Sequence, residues 1–253
     1  MLETAIRAAK EAEKIILYYY KKELEEERKD DRSLVTIADR EAEEKIREII
    51  LSDFPGHQIL GEEKGEIGEV GDYLWIVDPI DGTTNYKSHI PLFATSIALY
   101  KKGKPVLSVL NLPVLKKMIT AEVGKGAYSG GKRLSVSSKD NLEFGLLAIG
   151  YGSDDIEVRK KAAEIFSKFI NRTRTARVLG SQVVQGSILA LGEIDAFISS
   201  KASVWDFAGI AIAIREAGGV VTDFHGKPWN LKSTELIASN PKIHNKLVEI
   251  ISA

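Results

Sequence analysis

No cysteine occurs in the 253 residues. That excludes a disulfide framework, a thiolate nucleophile and a Cys-ligated zinc or iron–sulfur centre, and the expectation is a cytoplasmic protein. A charge excess of either sign is equally absent, since 35 Lys and Arg stand against 36 Asp and Glu. No overall field therefore recruits nucleic acid or an anionic membrane, and neither is expected as a partner. No apolar run approaches the roughly 18 residues of a membrane span, and the opening MLETAIRAAKEAEKII lacks the basic and continuously apolar regions of a secretion signal. Without a G-x-S-x-G there is no support for a nucleophile elbow or acyl transfer. The four histidines, His57, His89, His225 and His244, lack metal-ligand spacing and read as packing or surface residues. Gly126 to Arg133 falls short of a phosphate-cradling P-loop, because Arg133 stands where Ser or Thr is required; it reads as a glycine-rich hairpin. Methionine is scarce, which together with abundant Lys, Glu and Ile leans toward thermophile composition.

What is present suffices for one large domain or two packed lobes, with 44% hydrophobic residues. Leu2, Ala5, Ile6, Ala9, Ala12, Ile16 and Tyr19 recur at helical spacing, and a second helix from about Asp39 to Ser52 turns Ala42, Ile46, Ile49 and Ile50 inward before Phe54-Pro55-Gly56 stops it. Between these helices, every residue from Lys21 to Arg32 except Leu24 is charged, the signature of a solvated helix end passing into a loop. Strands are predicted at 57–60, 73–77, 92–100, 105–112 and 116–122, forming a largely antiparallel meander with a hairpin at Lys101–Lys104. Beyond residue 141 the pattern alternates: strands near 145–150, 174–178, 195–199 and 219–222, and helices over 155–170, 181–191 and 206–217. The chain thus divides into an α+β lobe, 1–140, and an α/β lobe, 141–253, sharing a packed interface.

Carboxylates occupy the ends of several of these elements. Glu62 and Glu63 follow a short predicted strand, and Asp78 and Asp81 follow the strand Tyr73–Val77, with Pro79 stiffening the link between them. Asp206 opens a helix as an N-cap acid would. Each taken singly has a structural explanation. Gathered at one place, unpaired carboxylates repel and resist ionisation unless a cation neutralises them, and hard oxygen ligands without His or Cys select Mg²⁺ or Mn²⁺. Gly82-Thr83-Thr84, at the start of a short predicted helix, adds backbone N–H groups and hydroxyls suited to an anion. An anion beside carboxylate-bound magnesium is most simply a phosphate.

These segments carry a resemblance. Gly61-Glu-Glu63, Asp78-Pro-Ile-Asp-Gly-Thr-Thr-Asn85, Trp205-Asp206 and Glu216-Ala-Gly-Gly219 follow one another as in the inositol monophosphatase and fructose-1,6-bisphosphatase superfamily, over nearly the whole chain. The resemblance implies an αβαβα layered sandwich and a phosphomonoesterase. It assigns one Mg²⁺ to Glu62, Asp78 and the Ile80 carbonyl, and a second to Asp78, Asp81 and Asp206. Glu63 supports the cluster, and a third, weaker ion sits near Glu62. Gly82 and Thr83 are implied to bind the phosphate, and Asp39 with Thr83 to orient the attacking water. The charged stretch ending at Arg32 corresponds to a loop that closes over the metals, and a homodimer is likewise implied.

Substrate choice departs from the animal inositol monophosphatase pattern. Seven residues before Asp206, where that subgroup carries a glutamate for inositol hydroxyls, stands Ser199, followed by Ser200 and Lys201. Arg172, Arg174 and Arg177 lie on or beside the predicted strand leading to Gly180-Ser181, the segment that borders the leaving group in the family. Alternation places Arg172 and Arg174 on one face and Arg177 on the other. The expectation is an enzyme resembling archaeal members that cleave both inositol 1-phosphate and fructose 1,6-bisphosphate, with Lys201 and one of the three arginines reading a remote phosphate. Other readings are a phosphatase for another metabolite, such as a nucleotide 2′- or 3′-phosphate, and a non-catalytic protein that binds a phosphorylated metabolite.

Overall fold

The computed structural model describes residues 1–20, 22, 27–28, 34–35, 37–68, 71–152 and 155–253. Most of the charged stretch Lys21–Arg32, and with it the expected closing loop, lies outside the described residues.

The chain begins with α1 (Leu2–Tyr19), a short pair β1 (Glu27–Arg28) and β2 (Leu34–Val35), and α2 (Ile37–Asp53). Next come β3 (Gln58–Gly61), β4 (Gly65–Ile67), β5 (Tyr73–Asp81), α3 (Thr83–Lys87), β6 (Ala94–Lys101), β7 (Lys104–Leu112), β8 (Lys117–Glu122), β9 (Gly126–Ser129) and β10 (Lys132–Arg133). A 3-10 turn at Leu142–Phe144 leads into β11 (Leu146–Gly150), α4 (Ile156–Ile170), β12 (Thr175–Arg177), α5 (Gln182–Ala190) and β13 (Ala196–Ser199). The last elements are α6 (Val204–Glu216), β14 (Val220–Thr222), β15 (Leu236–Ser239) and α7 (His244–Ser252).

Beside the two-stranded pair β1–β2, two large sheets and three helical layers result. The eight-stranded sheet runs β10-β9-β8-β7-β6-β5-β3-β4 and the five-stranded sheet β12-β11-β13-β15-β14. Helices α1 and α2 cover the outer face of the larger sheet, α5 and α6 lie between the sheets, and α4 and α7 cover the smaller sheet from outside. This is the expected αβαβα sandwich. The helices follow their apolar stripes: Ala5, Ala8, Ala9, Ala12 and Ile16 of α1 face Ala42, Ile46 and Ile50 of α2 and Trp75 and Val77 of β5 in one core. A second, central core gathers Ile76, Leu110, Phe207, Ile210 and Leu236 from both sheets and the helices between them. Helix α6 is apolar nearly all round because both its sides are buried, with Phe207 to Ile214 enclosed.

The meander β5 to β10 is antiparallel as predicted, but β3 pairs with β5 in parallel. Four short strands escaped the sequence pattern: the pair β1 and β2, and β4 and β15. β4 is a three-residue strand, Gly-Glu-Ile, too short to alternate. β15 is a four-residue run, Leu-Ile-Ala-Ser, buried between antiparallel neighbours β13 and β14. Among the described residues, no helix is long and apolar enough to cross a membrane.

Candidate metal and phosphate site

Strand β5 does not stop at Val77 but carries both Asp78 and Asp81 within it. Along β5, Trp75 and Val77 face the outer core while Ile76 faces the central one, so Asp78 follows Ile76 inward. Asp81, three residues on, would point the opposite way in a regular strand. Its register shows why it does not: Asp78 pairs with Ser96 and Asp81 with Ala94, so β5 advances three residues while β6 advances two. This β-bulge returns Asp81 to the face of Asp78 and leaves Ile80 in the outer core. Pro79, which has no N–H for the ladder, sits in the bulge, and its carbonyl accepts a 2.8 Å hydrogen bond from Thr95 Oγ1.

Asp206 arrives from the middle layer. The expectation that it caps α6 is corrected: the helix starts at Val204, Ser203 is the N-cap, and Asp206 lies in the first turn with Oδ2 accepting from the Ser203 amide at 2.6 Å. One carboxylate oxygen from each of Asp78, Asp81 and Asp206 lies within 4.8 Å of the others. Glu62 stands close by, on the turn after β3, whose amide is tied to the Val77 carbonyl at 3.2 Å.

The electrostatics of the cluster call for a cation. Asp78 is fully buried and neither of its carboxylate oxygens has a hydrogen-bond partner. Burial first, then Glu62, Asp81, Asp206 and Asp39, push its pKa well above the ordinary carboxylate range. Asp206 is pushed up in the same way, by burial and then by Asp81 and Glu62. Asp81 is raised less, because burial is opposed by hydrogen bonds from the Ser181 hydroxyl and the Val183 and Gln182 amides. Acids so crowded are stable when ionised only around a positive charge, and an all-oxygen donor set suits Mg²⁺ or Mn²⁺. The residues present therefore fit a divalent metal.

The Gly82-Thr83 segment adjoins it. Gly82, at φ +91°, is the N-cap of α3, and a Cβ there would lie 2.9 Å from Ser181 Cβ and 3.1 Å from the Leu92 carbonyl. Glycine thus permits both the left-handed turn and the close approach. Thr83 Oγ1 stands 3.1 Å from the Ile80 carbonyl and 3.4 Å from Asp39 Oδ1, and Asp39 is buried in the first turn of α2. The sequence-predicted set Asp39, Glu62, Asp78, Ile80, Asp81, Gly82, Thr83 and Asp206 is thereby brought together.

The substrate-side residues divide. Ser181 is buried, and its hydroxyl donates to Asp81 Oδ2 while accepting from the Val184 amide at 3.1 Å. It therefore holds a ligand-side acid. Gly180, at φ +75°, packs its α-carbon against the Asn85 carboxamide. Ser199 is buried, and Lys201 is exposed with its carbonyl accepting from the Gly152 amide at 2.6 Å. Gly150 pairs with Ser199, so these residues mark the end of β11 and β13 nearest the cluster. Strand β12 runs parallel to β11 from Leu146↔Thr175 to Ala148↔Arg177, which puts Arg177 toward that end. Arg172 is at the other end. It lies in the turn after α4, before the strand begins, and its Nη1 donates to the Lys168 carbonyl at 2.6 Å. The expected strand alternation therefore does not extend to Arg172, which lies at the opposite end of β12 from Arg177. Arg174, whose amide bonds the Gly145 carbonyl, also precedes the strand.

Several contributors were not singled out from sequence. Asn85 Nδ2 donates to the Leu92 and Leu179 carbonyls, both at 2.7 Å, docking segment 179–181 onto α3. The Val183 amide binds Asp81 Oδ2 at 2.7 Å. Glu43 and Arg47, both buried on α2, grip the turn that carries Glu62 and Glu63. The signal for these last was two charges on the stripe of Ala42, Ile46 and Ile50.

Comparison with known proteins agrees over the full length. The sequence profile of the Inositol monophosphatase family matches residues 1–253. The Fructose-1,6-bisphosphatase/inositol-1-monophosphatase of Thermotoga maritima is 38% identical over 221 residues, covering 87% of this chain and 83% of that protein. The Nus factor SuhB of Pseudomonas aeruginosa is 36% identical over 258 residues, 99% of this chain and 95% of that one. Among solved structures, the Thermotoga maritima IMPase superposes with a TM-score of 0.91 at 33% identity, covering 99% of this chain and 96% of that one.

Proposed function

Because this chain belongs to the inositol monophosphatase family, we propose that it is a Mg²⁺-dependent phosphomonoesterase acting on inositol 1-phosphate and fructose 1,6-bisphosphate. The observation that carries the metal dependence is Asp78, buried with both oxygens unpartnered among Glu62, Asp81 and Asp206. In this reading Glu62, Asp78, Asp81, Asp206 and the Ile80 carbonyl would hold the Mg²⁺ ions, two or three in number, and Glu63 would support them. When bound, Mg²⁺ supplies Lewis-acid stabilisation of phosphoryl charge and acidifies water.

The chain's own groups do the rest. Gly82 and the first-turn amides of α3 face the phosphate oxygens, where donors held in place stabilise charge with little rearrangement. Thr83 Oγ1, donating toward Asp39 or Ile80, keeps a lone pair for a water O–H and so aims that water at phosphorus. Ser181 and the Val183 amide fix Asp81 so that it presents one orientation to the cation. In this reading Arg177 and Lys201, both exposed, would read a second phosphate, a role supported by the register of β12, which puts Arg177 at the same end of the sheet as Ser199. The dual substrate range is supported by the name of the Thermotoga relative, which carries both activities.

Phosphate release from a panel of inositol 1-phosphate, fructose 1,6-bisphosphate and nucleotide 2′- and 3′-phosphates, titrated with Mg²⁺, tests the reading. Asp81→Asn and Asp206→Asn should abolish turnover with the fold intact. Binding of the esters without phosphate release would replace the enzyme by a metabolite-binding protein.

A further inference from the structure

Helix α2 carries three buried charged residues one turn apart, Asp39, Glu43 and Arg47. Residues at this spacing lie on one face. Asp39 reaches Thr83, whereas Glu43 and Arg47 reach the turn after β3. Glu43 Oε2 accepts from the Glu63 amide at 2.7 Å, and its Oε1 accepts from the Lys64 amide at 3.0 Å and from Arg47 Nε at 2.8 Å. Arg47 Nη2 donates to the Gly65 carbonyl at 2.6 Å. The turn is thus held at its amides by the carboxylate and at its far carbonyl by the guanidinium. Gly61 shows how close the grip is, because a Cβ there would fall on the Glu43 carboxylate, well inside contact distance.

We propose that Glu43 and Arg47 are positioning residues that set the Glu62–Glu63 turn for metal binding, with α2 fixing the turn and Asp39 on one rigid element. This rests on the metal reading above. A core ion pair kept only for stability would be a poor choice, since two well-packed apolar side chains serve as well or better. Lys64 is exposed and Gly65 half-buried, so water could satisfy this turn's backbone groups. What the pair adds is a fixed place for the turn. Outer groups that orient metal ligands commonly change affinity by about 10- to 100-fold when removed.

The test uses Glu43→Gln, which keeps the shape but turns an amide NH₂ toward a backbone N–H, and the double variant Glu43→Gln/Arg47→Met, which leaves no uncompensated charge. Calorimetry should show Mg²⁺ affinity about 10-fold or more weaker in both, although the double variant recovers the thermal stability that the single one loses. At saturating Mg²⁺, KM for the phosphate ester should stay near wild type while the Mg²⁺ activation constant rises. Amide hydrogen exchange of metal-free Glu43→Gln should accelerate at Glu63 and Lys64. If Mg²⁺ affinity recovers with stability in the double variant, or a folded variant binds Mg²⁺ as wild type does, the positioning role is overturned. Should Glu43→Gln not fold, the double variant and Gly61→Ala decide by the same affinity criterion. Wild-type protein that binds no Mg²⁺ would overturn the metal reading and this inference together, whereas unchanged exchange at Glu63 and Lys64 would overturn this inference alone.

Discussion

Replacing Asp78 with asparagine is expected to stabilise the metal-free protein and to abolish the stabilisation conferred by Mg²⁺. The wild-type carboxyl group is fully buried, lacks any hydrogen bond and is crowded by acids. Without a cation, burial and the neighbouring acids oppose its ionisation and hold its pKa well above the ordinary carboxylate range. The ordinary value of 3.8 lies about three units below neutrality, and at about 1.4 kcal/mol per unit the neutral form costs at most about 4 kcal/mol. Asparagine has nearly the same shape and avoids that cost, but it leaves a buried amide without partners, which takes back about 1 to 3 kcal/mol. The net gain is therefore at most about 3 kcal/mol, and at about 2–4 °C per kcal/mol for a chain of this size the metal-free Tm rises by at most several degrees. Mg²⁺ at a hundred times its Kd should stabilise wild type by about 2.7 kcal/mol and the variant hardly at all. Urea denaturation with chelator and with excess Mg²⁺ measures both. A variant less stable than wild type in chelator, or one stabilised by Mg²⁺ as wild type is, would refute the reasoning.

Three further outcomes are expected. His244 is buried between Thr222 Oγ1 and Ser239 Oγ, and desolvation lowers its pKa to about 4. The unfolded chain therefore takes up the proton first, and stability falls as pH drops from about 6.5 toward 4, by up to about 1.4 kcal/mol per unit; the difference in urea midpoints between wild type and His244→Gln should change over that window and be constant above it. Gly82→Ala should lose about 1 to 2 kcal/mol from the left-handed backbone alone, and kcat should fall as the new Cβ displaces Ser181. Arg177→Ala or Lys201→Ala should raise KM for fructose 1,6-bisphosphate selectively while Arg172→Ala leaves it unchanged, and equal effects on both substrates would exclude a remote-phosphate contact.

The layered fold was legible because its elements are long or strongly patterned. Helix α1 repeats alanines and Ile16 on one stripe, and the meander strands are bounded by turn residues such as Lys102-Gly103, both at positive φ. Strands β4 and β15 were hidden for the opposite reason. Three or four residues cannot display a period, and β15 in addition takes its pairing from β13, distant in sequence. Arg172 was misjudged because alternation was extended past the start of β12 into a turn, where side-chain direction is set by the end of α4 instead.

The site itself was legible in residue type and opaque in mechanism of assembly. Asp78 and Asp81 lie three positions apart, and in a regular strand that odd offset sends them to opposite faces. Only the extra residue at Pro79–Ile80 brings them together, and a bulge is a property of the pairing between β5 and β6 rather than of either strand alone. The same holds for Glu62: its chemistry is written in Gly61-Glu-Glu63, but its position depends on Glu43 and Arg47, about twenty residues earlier on another element. Charges on the apolar stripe of a helix are costly unless paired, so Glu43 and Arg47, four apart beside Ala42 and Ile46, announce that something buried must receive them. What they receive is the turn that carries Glu62 and Glu63. A sequence search for paired charges on core-facing helix stripes would therefore find supports that ligand motifs alone pass over.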